Sequence, residues 1–395
     1  MIVGVPIETF PSERRVALVP AALPLLTDKG VEVLVEEGAG ESAGYSDDAY
    51  RDSGARIVEE RAEVFTSADV IVQVRGLGAN PDAGRADLEY QRTGQGLISF
   101  LEPLTALREV EEIARTGVIA FAMELMPRVT RAQSMDVLSS MATISGYKAV
   151  LFAAEALPRM FPMMMTAAGT VTPARVLVVG AGVAGLQAIA TARRLGAVVQ
   201  AYDIRPAVKE EIESLGARYV DLPVDTRETE GEGGYAKAMD EDFYRRQRET
   251  LANVVVQSDV VITTAAVPGK RAPVLVDREM VKGMRPGSVI VDVAAERGGN
   301  CELTRPGETA SVHGVSIIGH TNIPSTVPHD ASQMYARNIA NFLVPMLDHG
   351  TLNLDLQDEV VRETLVTNGG QVAHPKVREL LGLPAAAADD QGKDS

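Results

Sequence analysis

Gly180, Gly182 and Gly185 stand at G-x-G-x-x-G spacing. They follow the apolar run Arg175-Val176-Leu177-Val178-Val179 and precede Leu186-Gln187-Ala188-Ile189-Ala190-Thr191-Ala192. Three glycines so placed can hold a pyrophosphate. The first permits a tight turn, the second lets the backbone approach a phosphate, and the third lets helix and strand pack closely. The N–H groups at the helix start then face the anion. The spacing carries weight only between a strand and a helix, and the flanking runs supply both. A glycine-rich turn without a ligand is the alternative. The next strand, Ala197-Val198-Val199-Gln200-Ala201-Tyr202, argues against it by ending at Asp203. Asp203 lies roughly 20 residues past the first glycine, where a dinucleotide fold places the acid for the ribose hydroxyls. A carboxylate there repels a 2′-phosphate, so it favours NAD over NADP. Arg205, two residues on, weakens that preference because an Arg can accept a phosphate.

A second polar group runs from Arg128 to Ser140 and includes Gln133, Asp136 and Ser139. It follows the predicted strand Val118–Met123, and ligand groups collect beyond the carboxyl ends of strands in open α/β sheets. Gln133, Asp136 and Ser139 or Ser140 are three or four apart, so one helical face could carry an amide, a carboxylate and a hydroxyl. That set suits a carboxamide and a ribose. A helix start capped by Ser134 or Thr130, with Asp136 favoured by the helix dipole, would leave the same residues. General acids and bases are otherwise few. The chain has no H-E-x-x-H, Walker lysine, C-x-x-C or nucleophile elbow. Hydride transfer between two nicotinamide rings fits such an inventory, because positioning matters and no side chain must ionise.

The elements needed to place these groups alternate along the chain. Strands are expected at Ile2–Val5, Val31–Val35, Val70–Val74, Leu97–Leu101 and Val118–Met123, with helices near Pro20–Asp28, Asp48–Ser53 and Leu104–Thr116. A long helix near Ser139–Leu157 leads into a second α/β unit. Its later strands are Ala217–Val220, Val260–Thr264, Ser288–Val293 and Val315–Ile318. A helix from Ala331 to about Leu347 returns to the first domain. The expected class is therefore α/β: two doubly wound, Rossmann-like domains with parallel sheets, separated by a cleft. The first is discontinuous, 1–138 plus 325–384. The nucleotide domain is 139–324, and 385–395 is a disordered tail. Thr226–Gly234 is acidic and glycine-rich, as a mobile surface loop would be, and Tyr235 follows it. Met163-Met164-Met165 reads as packing.

The chain has 395 residues and a net charge of -16, from 38 basic and 54 acidic side chains. That length favours two cores, and the charge argues against nucleic acid and against adhesion to anionic lipid. Cys301 is the only cysteine, so no intrachain disulfide forms, which fits a reducing cytoplasm. No metal site is expected from the scattered histidines. The opening Met1–Pro6 reads as a strand rather than a signal peptide, and no uncharged apolar stretch of bilayer length is apparent.

Longer motifs add a resemblance. Met123–Arg128, Arg131–Asp136, Gly180–Gly185, Gly233–Lys237, Pro268–Lys270 and Gly298–Cys301 resemble the NAD(H)-binding soluble component of proton-translocating nicotinamide nucleotide transhydrogenases. The likeness spans most of residues 1–380 and implies NADH + NADP⁺ ⇌ NAD⁺ + NADPH, coupled to proton movement. It also implies a homodimer that carries NAD(H) and works with separate NADP(H)-binding and membrane-spanning subunits. Such a component lies on the cytoplasmic face of the inner membrane without inserting into it. By the same resemblance, Arg128, Gln133, Asp136 and Ser139 surround the nicotinamide and its ribose, with Gln133 reaching toward NADP(H). Gly182 and Val183 meet the pyrophosphate, and Asp203, Ile204 and Arg205 the adenosine ribose. Gly234, Gln247 and Val267 are further cofactor contacts, with Val267 in place of the usual leucine, and Tyr235 tips a mobile loop. Two alternatives stand beside this reading. Glu13–Ala17 resembles the opening of alanine dehydrogenases, but Arg75 and Phe100 occupy the positions of their catalytic lysine and histidine. Arg is not a ready proton donor at neutral pH, and Phe has no proton to give. A non-catalytic NAD-sensing module would need the glycine turn and Asp203 but not the Arg128–Ser139 group.

Overall fold

The computed structural model describes residues 1–221, 241–267, 269–348 and 350–384. Gly234, Tyr235, the segment Thr226–Gly234, Pro268 and the tail 385–395 lie outside the described residues. The chain divides into two compact units, Met1–Met141 together with the chain from Ser325, and Ala142–Pro324.

The first unit opens with β1 (Ile2–Val5), α1 (Pro24–Thr27), β2 (Glu32–Glu36), α2 (Asp47–Asp52) and β3 (Arg56–Val58). It continues with α3 (Arg61–Ser67), β4 (Val70–Arg75), β5 (Gly96–Phe100), α4 (Leu107–Thr116) and β6 (Ile119–Ala122). α5 (Val137–Ala156) leads into the second unit. There follow the hairpin β7 (Met164–Thr166) and β8 (Gly169–Val171), then β9 (Arg175–Val179), α6 (Val183–Arg194), β10 (Val198–Tyr202), α7 (Lys209–Ser214) and β11 (Arg218–Tyr219). α8 (Glu241–Gln257), β12 (Val260–Thr263), α9 (Arg278–Gly283), β13 (Val289–Asp292), β14 (Thr309–Val312) and β15 (Val315–Ile318) complete it. Back in the first unit come α10 (Pro328–Leu343), β16 (Leu347–Asp348), β17 (Thr351–Leu352), α11 (Glu359–Thr364), β18 (Leu365–Asn368), β19 (Gln371–Val372) and α12 (Pro375–Leu380).

Both main sheets are doubly wound. The first has the order β19-β18-β6-β5-β4-β1-β2-β3, the second β11-β10-β9-β12-β13-β15-β14. The central strands run parallel, as their near-continuous apolar sequences require when both faces are covered. The expectation of parallel sheets needs correcting at the edges. β18 is antiparallel to β6 and β19 to β18, and β14 is antiparallel to β15. Gly369 and Gly370, both at positive φ, turn one of these hairpins, and His313-Gly314 turns the other. A two-residue turn of that kind can only return the chain antiparallel.

Proline moves two helix boundaries. The stretch Pro20–Asp28 is not one helix but a 3₁₀ turn, Pro20–Ala22, followed by α1, which begins at Pro24. At the other end, α10 stops at Leu343 and a 3₁₀ turn containing Pro345 follows. Proline has no N–H for the preceding turn.

The methionine run also departs from the expected packing. Met163, Met164 and Met165 are 59%, 40% and 75% exposed, on and beside the β7–β8 hairpin, so they do not pack in a core. α5 is, by length and composition, apolar enough to cross a bilayer, with mean hydropathy 1.3. Yet it carries Lys148 and Glu155, and its Ala149, Val150 and Ala153 join Val176 and Val178 in the core of the second unit. Gly146 lets α5 sit directly on the first turn of α6. A Cβ there would lie 2.1 Å from the Ala184 carbonyl oxygen. α5 is thus a core helix with a close backbone crossing.

Candidate functional site

In the second unit the strand order reverses between β9 and β12. Ligands in open α/β sheets bind outside the carboxyl ends of strands at such a point. Gly180 follows β9 there, with φ +97°, a conformation that disfavours any residue with a Cβ. A Cβ at Gly185 would lie 1.9 Å from the Gly180 carbonyl oxygen, so the third glycine is fixed by helix–strand contact. Gly182 differs. A Cβ there would meet nothing within 4 Å among the described residues. Packing among the described residues does not explain this glycine, whereas a ligand pressed against the backbone would. Gly182 is also the N-cap of α6 and offers no side-chain cap to the first-turn N–H groups. The turn therefore fits a pyrophosphate.

Asp203 is buried beside this turn. Its Oδ2 accepts from Ala181 N at 2.7 Å, and its Oδ1 from Arg205 N at 2.8 Å. The Arg205 guanidinium donates to both carboxylate oxygens at 2.9 Å. The acid thus holds the glycine turn, and Arg205 is engaged with it. Gln247, on α8, is buried and donates to the Tyr202 hydroxyl at 2.7 Å. Val183 is exposed, and Ile204 and Val267 are half-buried.

In the first unit the Arg128–Ser139 group takes a shape the sequence did not predict. Thr130–Met135 is a 3₁₀ helix, and Asp136 is extended at φ −76°, ψ 93°. Gln133, Asp136 and Ser139 therefore do not share an α-helical face. Asp136, rather than Ser134 or Thr130, caps the start of α5. Its Oδ1 accepts from Ser139 N at 2.9 Å and its Oδ2 from Ser139 Oγ at 2.5 Å. Arg128 and Gln133 are exposed. Arg131 forms an ion pair with Asp358, and Asn338 and Asn341 donate to the Ser134 carbonyl at 2.8 and 3.1 Å. These ties fix the backbone while Gln133 faces outward.

The first sheet reverses order between β4 and β1, and charged groups collect there too. Arg15 donates to both oxygens of Glu13 at 2.7 and 2.6 Å, and Arg75 adds a 3.1 Å contact. Burial pushes the Glu13 carboxyl up, but the two guanidinium groups prevail and hold it at about 2. Glu8 accepts from Val74 N and Arg75 N at 2.6 and 3.0 Å, and burial beside Glu13 raises it to about 8. The Arg75 guanidinium lies over the Phe10 ring at 4.3 Å, and Phe100 packs against Tyr335 at 5.7 Å. The fork of Arg15 is thus filled by the chain's own carboxylate. Neither Arg75 nor Phe100 can serve as a proton-transfer group at neutral pH.

Glu124, within Met123–Arg128, was missed by sequence reasoning. Its Oε1 accepts from Leu101 N at 2.8 Å and Glu102 N at 2.5 Å, whereas its buried Oε2 has no hydrogen-bond partner among the described residues. Burial, aided by the negative charge of Glu102, raises it to about 7. Folding then takes up a proton. The resulting stabilisation is complete below the ordinary value of 4.5 and is lost as pH rises through about 7. Glu124→Gln removes that titration. Its melting temperature relative to wild type should rise by about 3 °C between pH 5 and pH 8. A difference independent of pH, followed by thermal melts across that range, would show that Glu124 stays charged on folding.

The fold and the glycine turn together define a doubly wound α/β protein built to bind a dinucleotide. Comparison with known proteins agrees. Residues 4–145 match the family "Alanine dehydrogenase/PNT, N-terminal domain" and residues 149–375 match "Alanine dehydrogenase/PNT, C-terminal domain". The chain belongs to the alanine dehydrogenase/PNT family. It is 48% identical over 378 residues to the first part of the NAD(P) transhydrogenase alpha subunit of Rhodospirillum rubrum, covering 95% of this chain and 98% of that one. It is 30% identical over 391 residues to "Alanine dehydrogenase" of Mycobacterium tuberculosis, covering 97% and 98%. The solved structure of a transhydrogenase from Sinorhizobium meliloti superposes with a TM-score of 0.82 at 42% identity, covering 95% of this chain and 99% of that one. An L-alanine dehydrogenase structure gives 0.80 at 28% identity, covering 97% and 99%.

Proposed function

We propose that this chain is the NAD(H)-binding component of a proton-translocating NAD(P)⁺ transhydrogenase. The observation that carries the reading is the glycine turn at Gly180, with no atom of the described residues within 4 Å of a Cβ at Gly182. The likeness to transhydrogenase subunits exceeds that to alanine dehydrogenases, and Arg75 and Phe100 remove the proton-transfer groups that amino-acid oxidation needs. The bound NAD(H) supplies the ring that gives or takes the hydride. The chain's residues orient it. Gly180, Gly182, Val183 and Gly185 cradle the pyrophosphate, and Asp203, Ile204 and Arg205 meet the adenosine ribose. Gln247, Val267, Gly234 and Tyr235 complete the hold on the cofactor. Arg128, Asp136 and Ser139 set the nicotinamide and its ribose, and Gln133 faces NADP(H) on a partner subunit. With water excluded, the hydride passes directly between rings.

The chain is a homodimer in this reading, and the exposed apolar β7–β8 hairpin supplies a surface for a second copy. Membrane-spanning and NADP(H)-binding subunits hold it at the cytoplasmic face of the membrane, and proton flow biases the exchange through them. The test mixes the purified chain with an NADP(H)-binding component and follows reduction of an NAD analogue by NADPH. Steady turnover that stops when either protein is omitted is expected. NADH binding without turnover, given a component competent with another transhydrogenase, would favour the sensing module.

A further inference from the structure

Asn300 belongs to the Gly298–Cys301 motif, to which the hydride reaction gives no task. It is fully buried and uses its polar atoms in three directions. Its Nδ2 donates to the carbonyls of Ala265 and Pro273, both at 2.8 Å, and its Oδ1 accepts from Ala265 N at 3.0 Å. Its own carbonyl accepts from Leu275 N and Val276 N at 2.8 and 3.0 Å. Ala265 and Pro273 flank the part of the connection between β12 and α9 that carries Val267 and Lys270. One side chain thus ties the two ends of that part together.

The tie is anchored on both sides. Asp292, at the end of β13, is fully buried, and its Oδ2 accepts from Asn300 N at 2.8 Å, Cys301 N at 3.0 Å and Thr304 Oγ1 at 2.6 Å. Its Oδ1 accepts from Thr263 Oγ1 at 3.0 Å. Gly299, at φ +77°, permits this approach, since a Cβ there would lie 2.6 Å from Asp292 Oδ2. On the other side, Thr264 Oγ1 donates to the Gly180 carbonyl at 3.0 Å, and a Cβ on Gly180 would lie 3.1 Å from Ala265 N. A continuous series therefore runs from Asp292 through Asn300 and Thr264-Ala265 to the first glycine of the turn.

We propose that Asn300 is a positioning residue for nucleotide binding: it clamps the 265–273 connection against Gly180 and so holds Val267 where the cofactor meets it. The inference rests on the reading of Gly180–Gly185 as the nucleotide turn. Asn300 touches no reacting atom, so its effect falls on binding. The test uses the full chain carrying Asn300→Ala and, as a milder change, Asn300→Ser. Hydrogen exchange should quicken at the Ala265 amide, and the Kd for NADH should rise about tenfold. In the reconstituted reaction KM for NADH should rise while kcat at saturation stays within about threefold of wild type. Thr264→Val, which keeps the side-chain shape and removes only the link to Gly180, should raise Kd by about threefold. A folded Asn300 variant with wild-type exchange and wild-type Kd overturns the proposal. So does an unchanged Kd in Thr264→Val if neither Asn300 variant folds. Failure of the wild-type chain to bind NADH would instead overturn the reading of the turn.

Discussion

A Gly182→Ala chain should melt within about 2 °C of the wild type, losing only the N-cap preference for glycine, and yet bind NADH roughly 30-fold more weakly, the loss expected when charge-assisted backbone contacts to a phosphate are pushed away. The added methyl group meets no described protein atom within 4 Å, so the fold has no reason to change. It does occupy the space where a pyrophosphate would approach α6. Gly185→Ala should behave in the opposite manner. Its methyl group would lie 1.9 Å from the Gly180 carbonyl, which also accepts from Thr264. Helix and strand must separate, which costs about 3 kcal/mol or more and lowers the melting temperature along with NADH affinity. Isothermal titration with NADH, paired with thermal melts, separates the two cases. A Gly182→Ala chain with wild-type affinity would mean that the turn holds no phosphate.

Gln133→Ala should slow hydride exchange with an NADP(H)-binding partner about 100-fold, the penalty of a ring misplaced by roughly 1 Å. NADH affinity should not change, and neither should stability, because Gln133 is exposed and the fixed points around it are the Ser134 carbonyl and Arg131. Stopped-flow exchange at saturating NADH, with a separate binding titration, distinguishes the two quantities. Equal loss of rate and affinity would place Gln133 in cofactor retention rather than at the face turned to the partner.

Much of the glycine turn was legible in sequence because its requirements are local. Gly180, Gly182 and Gly185 constrain backbone within one turn, and the apolar run before them allows only a buried strand. The Arg128–Ser139 group was less legible. Its spacing permits an α-helical face or a capped helix start, and the choice depends on contacts from α10, which reaches it through Asn338 and Asn341. The methionines misled for a related reason. Three apolar residues in a row describe a buried segment until the structure places them on a hairpin outside either main sheet.

The amino-acid sequence by itself determined the class of the fold, the glycine turn between strand and helix, and the acid that follows it. Each of these depends on residue type or short-range geometry. The tertiary structure alone decided that Asp203 is held by Arg205, that Asp136 caps α5, that Glu124 keeps an oxygen without a hydrogen-bond partner among the described residues and that Asn300 spans a distant connection. The last two of those facts depend on groups far apart in the chain, since Glu124 meets the Leu101 and Glu102 amides and Asn300 meets Ala265 and Pro273. The order of strands in each sheet brings those distant groups within hydrogen-bonding distance, whereas Asp203 with Arg205 and Asp136 with Ser139 are neighbours in sequence whose geometry the folded backbone sets.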